Sequence, residues 1–124
     1  MLEVYSLNKT VAADTAIPLD NVTLRKGCTA VNSSPATIQL NKCGVYMVAV
    51  NASSAASVTI QLYKDGIAQP QAQSTGSSPC FVTLVQVTEN NSCCPCATPT
   101  TLQIFNVGAE ATYDDINVVV TKIV

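Results

Sequence analysis

Three thiols stand within four residues at Cys93-Cys94-Pro95-Cys96. Cysteines this close serve disulfide bonding, metal ligation or thiol redox chemistry. Cys28, Cys43 and Cys80 bring the total to six. A thioredoxin-type redox site places Cys-x-x-Cys at a helix N-terminus, where the thiolate pKa is lowered. Strand-like sequence flanks this cluster, so that activation is missing. A four-thiolate zinc site could draw on Cys43, Cys93, Cys94 and Cys96, since zinc accepts four sulfurs tetrahedrally. The usual ribbon needs two Cys-x-x-Cys knuckles; only Cys93 and Cys96 have that spacing, and Cys94 crowds them. The expected role is therefore structural: disulfides or buried thiols, with no metal and no cofactor.

The other reactive groups are sparse. The chain has no histidine, so neither a Ser-His-Asp nor a Cys-His arrangement is available within one chain. Lys9, Lys42, Lys64 and Lys122 all sit in turn or end contexts, which disfavours a Ser-Lys nucleophile. No Gly-rich phosphate loop occurs. Asp114-Asp115 are read as a polar turn before the last strand, too few carboxylates for calcium. Five sequons, at Asn8, Asn21, Asn32, Asn51 and Asn90, reflect the abundance of Asn, Ser and Thr rather than glycosylation. Tyr113, expected in a loop, is the best exposed candidate for stacking on a sugar, whereas Tyr46 and Tyr63 read as core or interface. No catalytic site is expected.

Only 11% of the 124 residues are charged, against roughly 25% in ordinary soluble domains. Ser, Thr, Asn and Gln take the place of charge, and Glu89 is the only charged side chain between Gly66 and Ala109. A face this neutral is poorly protected against association, which points to an oligomer or to an external shell. The net charge of −2 and scattered basic residues argue against nucleic acid, which needs clustered Lys and Arg. The longest apolar run, Val45 to Val50, falls far short of the ~20 residues of a membrane-spanning helix. The segment from Met1 to Tyr5 shows neither a basic start nor an apolar signal core. That suits a component assembled in the cytoplasm.

The elements that would carry these residues are strands. Thr37 to Leu40, Ser57 to Tyr63 and Thr101 to Ile104 alternate polar and apolar residues, the period of a half-buried strand. Val45 to Val50 and Phe81 to Val87 are more continuously apolar, reading as central strands or as strands at a subunit interface. Asp65-Gly66 is a hairpin signal, and the prolines are expected between strands. No stretch of ten residues has helical spacing. The expected architecture is all-β, about eight short strands in a sandwich or jelly roll. Residues 1–20 form an N-terminal arm or extra strand, and 21–124 form the domain.

One succession is more specific. Thr37-Ile38-Gln39-Leu40 is followed by Cys43-Gly44-Val45-Tyr46 and its strand, then by Val58 to Gly66, and the chain ends in Ile116 to Ile123. From about Val22 onward this order resembles the tumour-necrosis-factor-like jelly roll shared with complement globular heads. It is most similar to the compact heads of bacterial spore-surface proteins and phage fibre or decoration proteins. The resemblance implies a two-sheet, ten-stranded jelly-roll sandwich and a homotrimer, with Tyr46 and Phe105 near the trimer axis. It implies nothing about the cysteines.

Strand topology constrains those. In an up-and-down sandwich the turn at Cys43 and the loop from Glu89 to Pro99 share one end, whereas Cys28 and Cys80 share the other. Eight strand residues separate Cys80 from the cluster, about 26 Å, beyond the roughly 7 Å a disulfide spans between Cα atoms. Cys43 is thus expected near Cys93, Cys94 or Cys96, and Cys28 near Cys80. Together these readings describe a non-enzymatic trimeric jelly-roll surface protein. The expected setting is a virion exterior as a phage capsid fibre or decoration protein, with residues 1–20 attaching or assembling. The alternative is a host-adhesion or glycan-binding head. The expected partners are further copies of the chain, other virion proteins or a surface glycan.

Overall fold

The computed structural model describes residues 2–25, 29–31, 37–40, 43–87 and 100–123. Eleven strands and no helix occur among them. They are β1 (Leu2–Val11), β2 (Thr15–Ala16), β3 (Asn21–Arg25), β4 (Thr29–Val31), β5 (Ile38–Leu40), β6 (Gly44–Ser53), β7 (Val58–Lys64), β8 (Ile67–Gly76), β9 (Cys80–Val87), β10 (Thr100–Val107) and β11 (Ala111–Lys122). Every pairing is antiparallel. The first sheet runs β3-β1-β11-β6-β9 and the second β4-β5-β10-β7-β8, with β2 joining β10. The inner faces of the two sheets form one hydrophobic core.

Alternation in the sequence becomes alternation of faces. Ile38 and Leu40, Ile60 and Leu62, and Leu102 and Ile104 are all buried. The polar residues between them face outward. Fully burying one such aliphatic side chain contributes about 1.5–3 kcal/mol. In β1 the inward positions are Leu2, Val4 and Ser6, and then Val11. The parity therefore changes between Ser6 and Val11. Asn8 sits there at φ 53, a left-handed conformation in which Asn is several-fold enriched. The partner strand changes parity at the same height: Tyr113 and Ile116 are both buried, and Leu7↔Asp115 and Lys9↔Tyr113 are paired. The ladder keeps its register while both strands twist.

One expectation is made specific and two are corrected. Of the arm or extra strand read in residues 1–20, residues 2–11 form a strand inside the first sheet, flanked by β3 and β11. Leu2, Val4, Val11, Ile17 and Leu19 enter the core, so the jelly roll is built from the first residues onward. The apolar run at Phe81 to Val87 is an edge strand, whereas Val45 to Val50 is internal. Pro70 lies within β8 rather than between strands. It is tolerated because β8 is an edge and the β7–β8 register shifts over the stretch between Ala68 and Gln73, where a missing N–H breaks no ladder bond.

The Asp65-Gly66 hairpin forms as expected. Asp65 and Gly66 have φ of 51 and 80, the pair of left-handed residues that a type I′ turn requires. Asp65 also ties the turn to the next strand: its Oδ1 accepts from the Thr101 amide at 2.9 Å, and its own amide donates to the Thr101 carbonyl at 2.9 Å. Ile104→Ala is expected to cost about 2–5 kcal/mol, as for other large-to-small changes in a packed core. Gly66→Ala, whose new methyl would meet nothing within 4 Å, is expected to cost only about 1–2 kcal/mol, from the backbone conformation. Denaturant unfolding of the two variants checks the contrast.

Candidate functional site

The two described cysteines lie at opposite ends of one ladder. Cys80 pairs with Asn51, at the far end of β6 from Gly44, which pairs with Val87. Cys43 immediately precedes Gly44 and is disulfide-bonded. Cys80 is free and exposed, and its amide donates to Ser74 Oγ at 3.2 Å. The separation of Cys43 from Cys80 is that expected from the topology. Cys28, Cys93, Cys94 and Cys96 lie outside the described residues.

The tyrosines are placed differently from the expectation. Tyr46 points into the sandwich and is wholly buried, so it offers no surface to a neighbouring subunit. Tyr113 is not a loop residue: it sits in β11 and is also fully buried. Its hydroxyl donates to Asn106 Oδ1 at 2.7 Å. Asn106, itself 1% exposed, donates through Nδ2 to the carbonyls of Ala12 at 3.2 Å and Ala109 at 3.0 Å, and at 3.4 Å to that of Val11. This knot ties the end of β10 in the second sheet to the end of β1 and the start of β11, which pair with each other in the first. Sequence reasoning missed it, although a lone Asn in the alternating run Leu102 to Val107, at an inward position, is its signal. Burial pushes the Tyr113 phenol up to about 12 from its ordinary 10.0.

Phe105 lies on the outer face of the second sheet. It stacks on Tyr63 with ring centroids 3.9 Å apart and planes 18° from parallel. The carboxylates Asp114 and Asp115 are both within β11 rather than in a turn. Asp115 accepts from Ser53 Oγ at 3.0 Å. Among the described residues no three His, Cys, Asp or Glu gather as a metal site. Lys9 and Asp20 form an ion pair at the surface, where such a pair contributes at most about 1 kcal/mol.

The two outer faces differ in chemistry. Across the first sheet the register aligns Leu84 with Met47 and Thr121, and Val82 with Ala49 and Val119. Val82 is 67% exposed and Leu84 59%. Outward aliphatic side chains in adjacent rows make one contiguous apolar patch, the mark of an interaction surface. The second sheet presents Thr59, Gln61, Gln39 and Gln103 around the Tyr63–Phe105 stack.

Solved structures share this architecture throughout. The globular domain of zebrafish complement 1qA superposes with a TM-score of 0.67 at 11% identity, covering 95% of this chain and 94% of that one. The Eiger TNF of S. frugiperda gives 0.69 at 12% identity, with 99% and 92% covered. The PRD1 vertex protein P5 gives 0.66 at 14% identity, with 99% and 96% covered. The fold is the tumour-necrosis-factor-like jelly roll. No family model and no curated protein matches the sequence, so the likeness is one of architecture. The jelly roll also fixes which surface is which: the apolar patch belongs to the sheet that contains the first and last strands.

Removing the Tyr113 hydroxyl tests the knot. Tyr113→Phe leaves Asn106 Oδ1 without its donor and is expected to cost about 1–3 kcal/mol near neutral pH. The raised phenol pKa means that the folded state holds its proton longer than the unfolded chain does. Its contribution is complete below pH 10 and is lost as the pH rises towards about 12, at up to about 1.4 kcal/mol per pH unit. The stability gap between the parent and Tyr113→Phe is therefore expected to shrink over that range, as read by urea midpoints at successive pH values.

Proposed function

We propose that the chain is a non-enzymatic structural head of a surface assembly, a homotrimer displayed on a virion exterior as a phage capsid fibre or decoration protein. The observation that carries this reading is the exposed apolar face of the first sheet. An edge strand presenting Val82 and Leu84 to water invites pairing and aggregation unless it is covered. A different surface of a second copy covers it, as a three-fold ring requires, and the tumour-necrosis-factor-like fold implies three copies about one axis. A vertex protein among the structural neighbours, matched over nearly its full length, supports the virion setting. The neutral outer face of the second sheet would then be the one displayed.

The trimer contact proposed here differs from the one first expected. It uses Val82, Leu84 and Met47 rather than Tyr46, which is inside the subunit, or Phe105, which stacks on Tyr63 on the outer face of the other sheet. Leu84→Lys is expected to shift the mass in solution from three chains towards one while leaving the β-sheet circular dichroism in place. Light scattering on the purified protein checks it, and a parent protein that is monomeric at micromolar concentration would remove the proposal.

The staple on this head is proposed to join Cys43 to Cys93, Cys94 or Cys96. Two connectors run between the same pair of ladder rungs, Leu40↔Thr100 in the second sheet and Gly44↔Val87 in the first. One connector carries Cys43 and the other spans residues 88–99, so both begin and end side by side. Mass mapping without reduction is expected to find the Cys43 peptide linked to the peptide spanning residues 88–99, and Cys80 alkylated. A Cys43–Cys28 link would overturn the pairing.

A further inference from the structure

The outer face of the second sheet combines three features on the two adjacent strands β7 and β10. The first is the Tyr63–Phe105 stack. The rings stand diagonally across the ladder, Tyr63 opposite Gln103 and Phe105 opposite Gln61, so each aromatic is flanked by an amide. The second feature is the scarcity of formal charge. Besides Tyr63, Phe105 and Val107, the outward positions Gln39, Thr101, Gln103, Gln61, Thr59, Gln73 and Thr75 are amides or hydroxyls, and the carboxylate at their border, Asp65, accepts from Thr101 Oγ1 at 3.4 Å. The third is a cleft where this face ends. It has a volume of ≈ 360 Å³ and lies between residues 54–59 and 106–112. Thr59 and Val107, two residues beyond Gln61 and Phe105, belong to both the face and the cleft.

The cleft mixes apolar walls, chiefly alanines with Val58 and Val107, with hydroxyls that both donate and accept. Thr59 Oγ1 shares a hydrogen bond with Thr75 Oγ1 at 2.7 Å, and Thr112 Oγ1 shares one with Thr10 Oγ1 at 3.0 Å. Each hydroxyl keeps lone pairs for a further partner. Ser57 and Glu110 complete the polar wall. A volume of this size falls within the range of small-molecule sites. The aromatic pair also stabilises the sheet as a cross-strand contact. That accounts for the stack, but not for an uncharged amide and hydroxyl surface leading from it into a cleft.

We propose that this surface binds an uncharged oligosaccharide, laid along β7 and β10 from the Tyr63–Phe105 stack into the cleft. A sugar hydroxyl is at once donor and acceptor, as are the Gln amides and the Thr and Ser hydroxyls that would meet it. The apolar C–H face of a pyranose ring packs on an aromatic surface. A ligand with formal charge would lose hydration here with no counter-charge in return. Glu110 is the exception, and as a carboxylate it accepts hydrogen bonds from sugar hydroxyls at the cleft end. The binding face is the one left open when the first sheet is covered by other copies, so the site is independent of the trimer contact.

The test applies the full-length protein to an array of neutral and acidic glycans, followed by calorimetry with the strongest neutral probe among chitotetraose, maltoheptaose and mannopentaose. Binding to at least one neutral glycan is expected, changed less than about twofold between 50 and 500 mM salt, since no ion pair is being screened. Tyr63→Ala is expected to weaken it by about tenfold, an energy of the size lost with one stacked ring. Tyr63→Phe retains it. Gln61→Ala, at a partly buried position where Nε2 donates to the Gln69 carbonyl at 3.2 Å and Oε1 faces the ligand, leaves the ring stack in place and weakens binding as well, so the site can be tested even if Tyr63→Ala unfolds. Leu84→Lys leaves glycan affinity unchanged while altering the mass, which separates this site from the trimer. Binding to no neutral glycan, binding to acidic glycans alone, or binding unchanged by both Tyr63→Ala and Gln61→Ala overturns the proposal.

Discussion

The last strand is the member on which the arrangement depends. β11 pairs with β1 on one side and β6 on the other. Its inward residues Ile116, Val118 and Val120 are completely buried. Because side chains alternate with a period of two, a slip of one residue along either ladder would send these three outward and bring Asn117, Val119 and Thr121 into the core. The register is therefore held by the hydrophobic penalty itself. It also decides the outer surface, since placing Val118 inward is what places Val119, Ala49 and Val82 in one outward row.

The two exterior faces follow from that choice and separate two tasks. Low charge leaves neither face electrostatically protected, so each depends on what its side chains offer. The first offers aliphatic groups, which water disfavours and which a second protein surface can cover. The second offers amides and hydroxyls, which water tolerates and which bond to one another in part, as Gln103 does to Thr37 and Thr59 to Thr75. A sandwich with both faces apolar would aggregate without limit, and one with both faces polar would have no reason to assemble. The asymmetry allows a closed oligomer with a wetted exterior.

Strands with clean alternation were legible in the sequence. Ile38 to Leu40, Val58 to Lys64 and Thr100 to Val107 carry their inward residues at every second position, and Asp65-Gly66 marks its turn unaided. The short strands β2, β3 and β4 were not legible, because two to five residues give no measurable period. The parity change at Asn8 hid β1, since a strand that switches faces midway reads as irregular. Tyr113 misled for a similar reason: the exposed pair Asp114-Asp115 beside it looks like a turn, whereas it is the outward side of the same parity change. Phe81 to Val87 read as a central strand or as one at a subunit interface, because apolar residues mark buried strands and contact strands alike. Only the pairing shows that it is an edge. The site was less legible than the fold. The separation of Cys43 from Cys80 followed from counting strands, but the Asn106 knot and the Tyr63–Phe105 surface depend on cross-strand neighbours that no linear pattern displays.

The central place of β11 has a consequence for biosynthesis. Until residues 111–122 leave the ribosome, the first sheet exists only as two unconnected halves, β3-β1 and β6-β9. Joining them requires contacts between the beginning and the end of the chain, a topology that folds late and slowly. The apolar patch spans β9, β6 and β11, so it too is unfinished on a nascent chain. The patch is therefore completed only when β11 pairs between β1 and β6, in the same step that closes the first sheet.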